Sequence, residues 1–123
     1  GAPLFPGVFE HVPELSRRLP LMIVSNCQAG YIEVFHDWSG LGGHFVDFEC
    51  WGNTGESKAE NLRRVIRRCG VARPLFVGDT EGDGAAAREN GVPFVHATYG
   101  FGEVTEADHR IAHFAELTRL LSP

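Results

Sequence analysis

Short apolar segments that alternate with helical patterns are the feature that most restricts how this chain can fold. Residues 21–25, 75–77 and 94–97 are largely apolar and have the length expected of buried strands. Residues 45–51 alternate between apolar and polar side chains, which is enough for a fourth strand. Because helical patterns separate these segments, the sequence predicts an α/β fold, a parallel sheet with helices on both faces.

Helices are predicted where apolar residues recur every three or four positions. The stripes are Val8, Val12, Leu15 and Leu19; Tyr31, Phe35 and Trp38; and Leu62, Val65, Ile66 and Cys69. Pro13 is expected to delay or kink the first helix, and Gly40 and Gly70 to end the second and third. Two more helices are predicted over residues 80–90 and 114–121.

Length and composition indicate one globular domain, residues 1–123. The net charge of −5 disfavours general nucleic-acid binding, and no apolar run is long enough to span a bilayer. The three cysteines have no metal-like spacing and cannot all pair with one another, which indicates a reducing cytoplasm. The six histidines show no zinc-ligand spacing.

Three carboxylates on alternate positions follow the strand predicted at residues 75–77. Asp79, Glu81 and Asp83 would repel one another at close range unless a cation or a proton held them together. Asp79, at the strand terminus, is predicted to be a metal ligand, and Glu81 to face solvent. Asp83 has two interpretations: a second metal ligand, or part of a capping box that begins at Thr80.

Two other glycine-rich motifs do not fit this segment. A calcium loop needs a bidentate Glu at its twelfth position, where Asn90 stands, and a helix before the loop, where the apolar strand lies. A dinucleotide-binding turn needs a glycine spacing that Gly78, Gly82 and Gly84 do not have.

Lys58 and the polar residues that follow the strands point to an anion. Ser57 is the predicted N-cap of the helix that contains Lys58, so the lysine opposes the helix dipole at a cost of about 0.3–1 kcal/mol. An anion beside it would remove that cost, and a side chain bent into solvent is the alternative. Three polar segments, Ser25-Asn26, Asp79-Thr80 and residues 99–102, follow strands at the edge where α/β folds bind ligands.

Together these segments resemble the haloacid-dehalogenase-like superfamily of phosphatases, most closely its phosphoglycolate-phosphatase-like members. Residues 21–26 (LMIVSN) are similar to its second motif, Lys58 to its third, and residues 77–83 (VGDTEGD) to its fourth. Residues 6–20 (PGVFEHVPELSRRLP) resemble the helix that leads into the core, and residues 91–102 (GVPFVHATYGFG) the strand and loop after the fourth motif. The resemblance implies a Rossmann-like sheet.

The resemblance also implies functions for single residues. Ser25 and the backbone amide of Asn26 would bind a phosphoryl oxygen, Lys58 would neutralise its charge, and Asp79, with water-mediated help from Asp83, would hold Mg²⁺. The implied activity is that of a magnesium-dependent phosphatase acting on a small phosphorylated metabolite through an aspartyl-phosphate. Its catalytic residues in this chain would be Lys58, Asp79 and Asp83.

One motif of the family is missing. The first motif, an apolar strand ending in Asp-x-Asp, supplies the nucleophile, and this sequence contains no Asp-x-Asp. We therefore expect a C-terminal portion of the family pattern, without the first strand and the cap, that is inactive alone. The alternative is a non-catalytic, self-associating fragment or scaffold that keeps a phosphate-binding site. Residues after Asp108 also depart from the family, which weakens the expectation of a last short strand.

The missing strand predicts association. In the family order it lies between the strands of residues 21–25 and 75–77, and its absence leaves two unpaired edges. Buried unpaired backbone groups cost about 1–3 kcal/mol each, so either these strands pair directly or another chain supplies a strand. Because close-packed helices resist closure, a homo-oligomer or a complex with an N-terminal segment is expected.

Other conspicuous side chains are interpreted as structural. His96 is predicted to be a hydrogen-bonded core residue, and Cys27 a small buried hydrophobe. A solvated, partly paired helix face is predicted for Arg63, Arg64, Arg67 and Arg68.

Overall fold

The computed structural model describes residues 8–100 and 102–121, with side chains from Glu10 onward. Within this range the strands are β1 (Met22–Ser25), β2 (Asp47–Cys50), β3 (Phe76–Gly78), β4 (Phe94–Ala97) and β5 (His109–Ile111). The α-helices are α1 (Val8–Ser16), α2 (Tyr31–Ser39), α3 (Trp51–Thr54), α4 (Lys58–Cys69), α5 (Glu81–Glu89) and α6 (Ala115–Leu120), and a 3-10 turn spans Gly42–His44. None of these helices has the length and apolar character needed to cross a membrane.

The strands form two parallel sheets. β1 pairs with β2, with Ile23 opposite Phe48. β4 lies between β3 and β5, with Val95 opposite Val77 on one side and opposite His109 on the other. The predicted α/β class and parallel pairing are therefore confirmed. Among the described residues, the second edge of β1 and the second edge of β3 have no strand partner.

An apolar cleft of about 420 Å³ lies between the two sheets. Ile23 on β1 and Val77 on β3 line its opposite sides, and Leu15 of α1, Leu62 of α4 and Leu117 of α6 cover it. We call this space the interstrand cleft. β1 and β3 do not pair with each other across it, so direct closure is not the arrangement of this structure.

Apolar side chains pack on both faces of the β3–β4–β5 sheet. Val95 and Ala97 of β4 belong to a cluster with residues of α1, β5 and α6 on one face. Phe94, which points the other way, packs with Ala87 of α5 and Val104 on the opposite face. Helices thus cover both faces, as the alternation of strands and helices predicted.

The glycine stop signals are confirmed, whereas one helical stripe does not mark a buried face. Gly40 and Gly70 follow α2 and α4 in the left-handed conformation, with φ of 72° and 61°. On α2, Tyr31 and Trp38 are exposed and Ile32 is the buried residue. The stripe through Tyr31 therefore located the helix and not its core-facing side.

Two strands differ in detail from what the sequence led us to expect. The strand expected over residues 45–51 is confined to Asp47–Cys50, because the chain turns into α3 directly after it. The last short strand, β5, is present despite the departure from the family pattern. Asp108 holds it in place: its carboxylate accepts the N–H of Phe94 at 2.7 Å, and its own N–H donates to the carbonyl of Phe94 at 2.9 Å.

Candidate functional site

The carboxyl ends of β1 and β3 flank the interstrand cleft at one edge. Ser25 ends β1 directly after the cleft-lining Val24, and Asp79 follows Gly78 at the end of β3. Lys58 begins α4, which returns from the carboxyl end of β2 and covers the cleft. The topology therefore places the predicted site residues at the edge where parallel sheets bind ligands.

A charged hydrogen bond joins Lys58 to Asp83. The distance from Lys58 Nζ to Asp83 Oδ1 is 2.5 Å, and the two side chains are 19% and 6% exposed. A pair with so little exposure is screened less by water than a surface ion pair. An anion therefore lies beside the lysine in the first turn of α4, and it is a carboxylate of the same chain.

Asp83 uses its second oxygen to hold the start of α5. Oδ2 accepts the backbone N–H groups of Asp79 at 3.0 Å and Thr80 at 3.2 Å, and the Thr80 hydroxyl accepts the N–H of Asp83 at 3.1 Å. The capping box is therefore formed. Both oxygens already accept hydrogen bonds, which favours water-mediated assistance to a metal ion over direct ligation by Asp83.

The described residues contain no group of three or more His, Cys, Asp or Glu side chains that could hold a metal ion. Of the two predicted metal ligands, Asp79 supplies a carboxylate at the end of β3, while Asp83 is occupied by its own hydrogen bonds. A hard oxygen donor suits Mg²⁺, but one carboxylate fills only part of its octahedral shell. Among the described residues, Asp79 and Asp83 could therefore supply only part of a magnesium site.

Two glycines let the backbone pack directly against the aspartates. A Cβ on Gly100 would lie 2.3 Å from the Cβ of Asp79, and one on Gly78 would lie 2.5 Å from Asp83 Oδ2. Both distances are shorter than any side chain tolerates, so each position requires glycine. The loop after β4, predicted to reach the ligand edge, therefore packs against Asp79. Phe101 of this loop lies outside the described residues.

Ser25 and Asn26 lie across the cleft from Asp79. The Ser25 side chain is half-buried and its Oγ accepts the N–H of Cys27 at 3.3 Å, while Asn26 is exposed. Cys27 is half-buried, whereas the sequence analysis predicted that it would be fully buried. A hydroxyl donor is therefore available on one side of the cleft, with an ammonium and a carboxylate on the other.

Two asparagines that sequence reasoning missed position the first turn of α4. Asn61 is fully buried, and its Oδ1 accepts the hydroxyl of Thr54 at 2.7 Å. The side chain of Asn90 donates to the carbonyl of Ala59 at 3.0 Å, which ties the end of α5 to the start of α4. Both bonds fix the helix turn that presents Lys58. The signal in the sequence that could have revealed Asn61 was its position beside the apolar stripe of α4. A polar side chain on a buried helix face is almost always hydrogen-bonded, so a partner was to be expected.

The side chains interpreted as structural are largely confirmed. His96 is buried, and its Nδ1 lies 3.2 Å from the guanidinium of Arg110. Glu81 is exposed as predicted, and it also accepts the hydroxyl of Thr105 at 3.1 Å. The arginines of α4 are exposed, and three of them pair with carboxylates: Arg63 with Glu60, Arg64 with Glu56 and Glu60, and Arg68 with Asp47 and Glu49.

The electrostatics of Asp83 link the site to stability. Burial by itself would raise the pKa of the Asp83 carboxyl. The hydrogen bond and charge of Lys58, together with the amides of Asp79 and Thr80, lower this pKa by more than burial raises it, so it lies below the usual 3.8. A carboxyl whose pKa is lower in the folded protein than in the unfolded chain stabilises the fold. This contribution is fully present at pH values above the unfolded-state pKa, and it is lost as the pH falls through the folded-state pKa.

Asp83→Asn is expected to lower the free energy of unfolding by about 1.5–3 kcal/mol at pH 7, because it removes a hydrogen bond between two charges. The difference from the wild type should narrow as the pH falls below 3.8. Urea unfolding of Asp83→Asn, Lys58→Met and the double variant measures it. If the two losses simply add, the pair has no coupling energy and this interpretation is wrong.

No family model matches the sequence. A curated phosphoglycolate phosphatase from Synechococcus elongatus is 36% identical over 103 residues, which make up 81% of this chain and 48% of that protein. The chain therefore spans about half the length of the curated relative that it matches.

Solved structures superpose on nearly the whole chain. A haloacid dehalogenase-like hydrolase from Streptococcus pneumoniae has a TM-score of 0.88 at 22% identity, covering 97% of this chain and 60% of its own. The HAD-hydrolase YfnB from Bacillus subtilis, described as bound to magnesium, has a TM-score of 0.84 at 22% identity, covering 96% of this chain and 55% of its own. At such identities the likeness is one of fold.

Proposed function

Because this chain belongs to the haloacid-dehalogenase-like superfamily, we propose that it is part of a magnesium-dependent phosphatase for a small phosphorylated metabolite. The observation that carries the proposal is the Lys58–Asp83 pair at the carboxyl edge of the interstrand cleft, with Asp79 beside it. The aligned relative is named a phosphoglycolate phosphatase, which supports a small phosphorylated substrate.

A phosphoryl group at the mouth of the cleft would meet donors from two sides. The Ser25 hydroxyl and the backbone N–H of Asn26 would donate from the β1 side. The Lys58 ammonium has three N–H donors and gives one to Asp83, so it can offer another to a phosphoryl oxygen. These groups bind and neutralise a dianion, and none of them is the nucleophile of an aspartyl-phosphate mechanism.

Mg²⁺, when bound, would screen charge on the phosphoryl group. Asp79 would hold it directly and Asp83 through water, while Gly100 and Gly78 keep the two carboxylates in place. Asp83 also has a second task in this proposal, since its hydrogen bond aims Lys58 at the same edge.

Magnesium binding by this chain alone is expected to be weak, with a dissociation constant in the millimolar range or above, because one or two carboxylates make an incomplete octahedral site. Calorimetric titration with MgCl₂ measures it, and Asp79→Asn should remove the remaining heat. Asp37→Asn, an exposed position on α2, is the matched control. Micromolar affinity would contradict the proposal and indicate a dedicated metal-binding protein.

We further propose that an apolar strand from outside this chain fills the interstrand cleft. Three observations support it: the two unpaired strand edges, the apolar lining, and the half of the aligned relative that this chain does not span. A strand parallel to β1 and β3 would emerge between Ser25 and Asp79, beside Lys58. A carboxylate at its end would then stand where a nucleophile is needed.

A non-catalytic fragment that associates with a second copy is the other candidate function, and the same cleft favours it. The two are separated by adding a segment that carries an apolar strand ending in Asp-x-Asp and assaying phosphate-ester hydrolysis. Hydrolysis only in the presence of the segment supports the phosphatase. Binding of the segment without hydrolysis supports the non-catalytic fragment.

A further inference from the structure

Cys27 and Cys50 are neighbours at the edge of the β1–β2 sheet. Cys50 ends β2 directly opposite Ser25, the last residue of β1, and Cys27 follows Ser25 by two positions. The Cys27 side chain is near enough to raise the pKa of the Cys50 thiol. All three cysteines of the chain are free thiols, and Cys69 lies elsewhere, at the end of α4 beside Asp47.

The backbone around the two thiols is already in close contact. The N–H of Gly52 donates to the carbonyl of Cys27 at 3.0 Å, and a Cβ on Gly52 would lie only 2.0 Å from the nitrogen of Ala29. The segments after β1 and after β2 therefore pack main chain to main chain. Two thiols carried by segments in such close backbone contact can approach to the disulfide bond length of about 2.05 Å without a large backbone movement.

The two thiols differ in access. Cys27 is half-buried and can be reached from solvent, whereas Cys50 is 1% exposed. Burial raises the pKa of the Cys50 thiol, the Asn53 amide opposes this, and the neighbouring Cys27 adds to the rise. An oxidant from solvent would therefore react with Cys27 first, and the buried Cys50 would be the neighbouring thiol that can attack the oxidised Cys27.

We propose that Cys27 and Cys50 form a reversible disulfide when the protein meets a peroxide. The Cys27 sulfur attacks one peroxide oxygen, which gives a sulfenic acid and releases one water from hydrogen peroxide. The Cys50 sulfur then attacks the Cys27 sulfur, and the hydroxyl leaves as a second water. Two thiols lose two hydrogen atoms, and the peroxide is reduced to two waters.

A disulfide between Cys27 and Cys50 would affect Ser25, at the edge of the interstrand cleft, through one hydrogen bond. The N–H of Cys27 donates to Ser25 Oγ at 3.3 Å, so drawing Cys27 toward Cys50 moves the partner of that hydroxyl. The consequence rests on the function proposed for Ser25: the oxidised protein binds phosphate more weakly than the reduced one. The disulfide itself does not depend on that function.

Treatment of the reduced protein with hydrogen peroxide, followed by thiol counting in denaturant and peptide mapping, tests the proposal. The expected result is a loss of two of the three thiols, a peptide that links Cys27 to Cys50, and full recovery with dithiothreitol. Cys69→Ser, the matched control, should lose the same two thiols, and Cys50→Ser should form no intramolecular bond.

The same treatment in urea shows whether the fold directs the pairing. The unfolded chain should give mixed pairs that include Cys69, while the native protein gives only the Cys27–Cys50 bond. Three surviving thiols, losses that dithiothreitol does not reverse, or the same mixture in both conditions would overturn the proposal. A disulfide that forms without weakening phosphate binding would overturn only the predicted effect of oxidation on Ser25 and leave the disulfide itself established.

Discussion

Mixed with a segment that carries an apolar strand ending in Asp-x-Asp, this chain is expected to hydrolyse p-nitrophenyl phosphate, while neither component alone exceeds the buffer rate. The physical reason is that each component supplies different groups. Ser25, Lys58 and Asp79 of this chain can stabilise a phosphoryl group, whereas the nucleophile that a covalent mechanism needs would come from the segment.

Lys58→Met should reduce turnover of the mixture by about 100- to 1,000-fold, the usual effect of removing one charge-stabilising donor. Asp79→Asn should make the remaining activity insensitive to added magnesium. Asp37→Asn should behave like the wild type. Hydrolysis by the purified chain alone that Asp79→Asn abolishes would contradict the expectation, because the chain would then contain its own nucleophile.

The second large effect concerns association. The interstrand cleft leaves two strand edges and an apolar surface open, so the chain alone is expected to self-associate as its concentration rises.

Binding of the segment that carries the apolar strand should also stabilise the chain. At a segment concentration about 100 times the dissociation constant, binding should add about 2.7 kcal/mol to the unfolding free energy. For a domain of this size that corresponds to a rise in Tm of roughly 6–15 °C.

Light scattering and thermal melts with and without the segment measure these effects. Ile23→Thr, which places a hydroxyl in the cleft, should reduce the rise in Tm. Val34→Thr, which introduces a threonine at an exposed apolar position of α2, is the control. A strictly monomeric chain that melts cooperatively at high concentration and gains nothing from the segment would contradict the proposed strand.

Local patterns in the sequence were sufficient for most of the elements. Continuous apolar segments located β1 and β4, and the stripe that ends at Gly70 located α4, because burial on a fixed face imposes a fixed period. The position of β5 was not predictable in this way. Its pairing depends on hydrogen bonds between Asp108 and Phe94, which are 14 residues apart.

The sequence predicted which residues lie together at this edge of the fold, but only some of the contacts among them. The position of Lys58 in the first helical turn indicated a neighbouring anion, but not that Asp83, 25 residues away, would be that anion. This pairing depends on how α4 and α5 pack. The capping box that joins Asp83 to the amide of Thr80 was predicted from a local pattern. The bond of Asp83 to Lys58 was not, because it is set by that packing.

Amide hydrogen exchange on the protein with and without the bound segment locates the added strand most directly. We expect the slowed amides to lie in Met22–Ser25 and Phe76–Gly78, at the alternate positions whose N–H groups point into the cleft, with β5 and α2 unchanged. Exchange that slows only at β2 or β5, or that stays unchanged in β1 and β3 when the segment is bound, would show that the cleft does not take a strand.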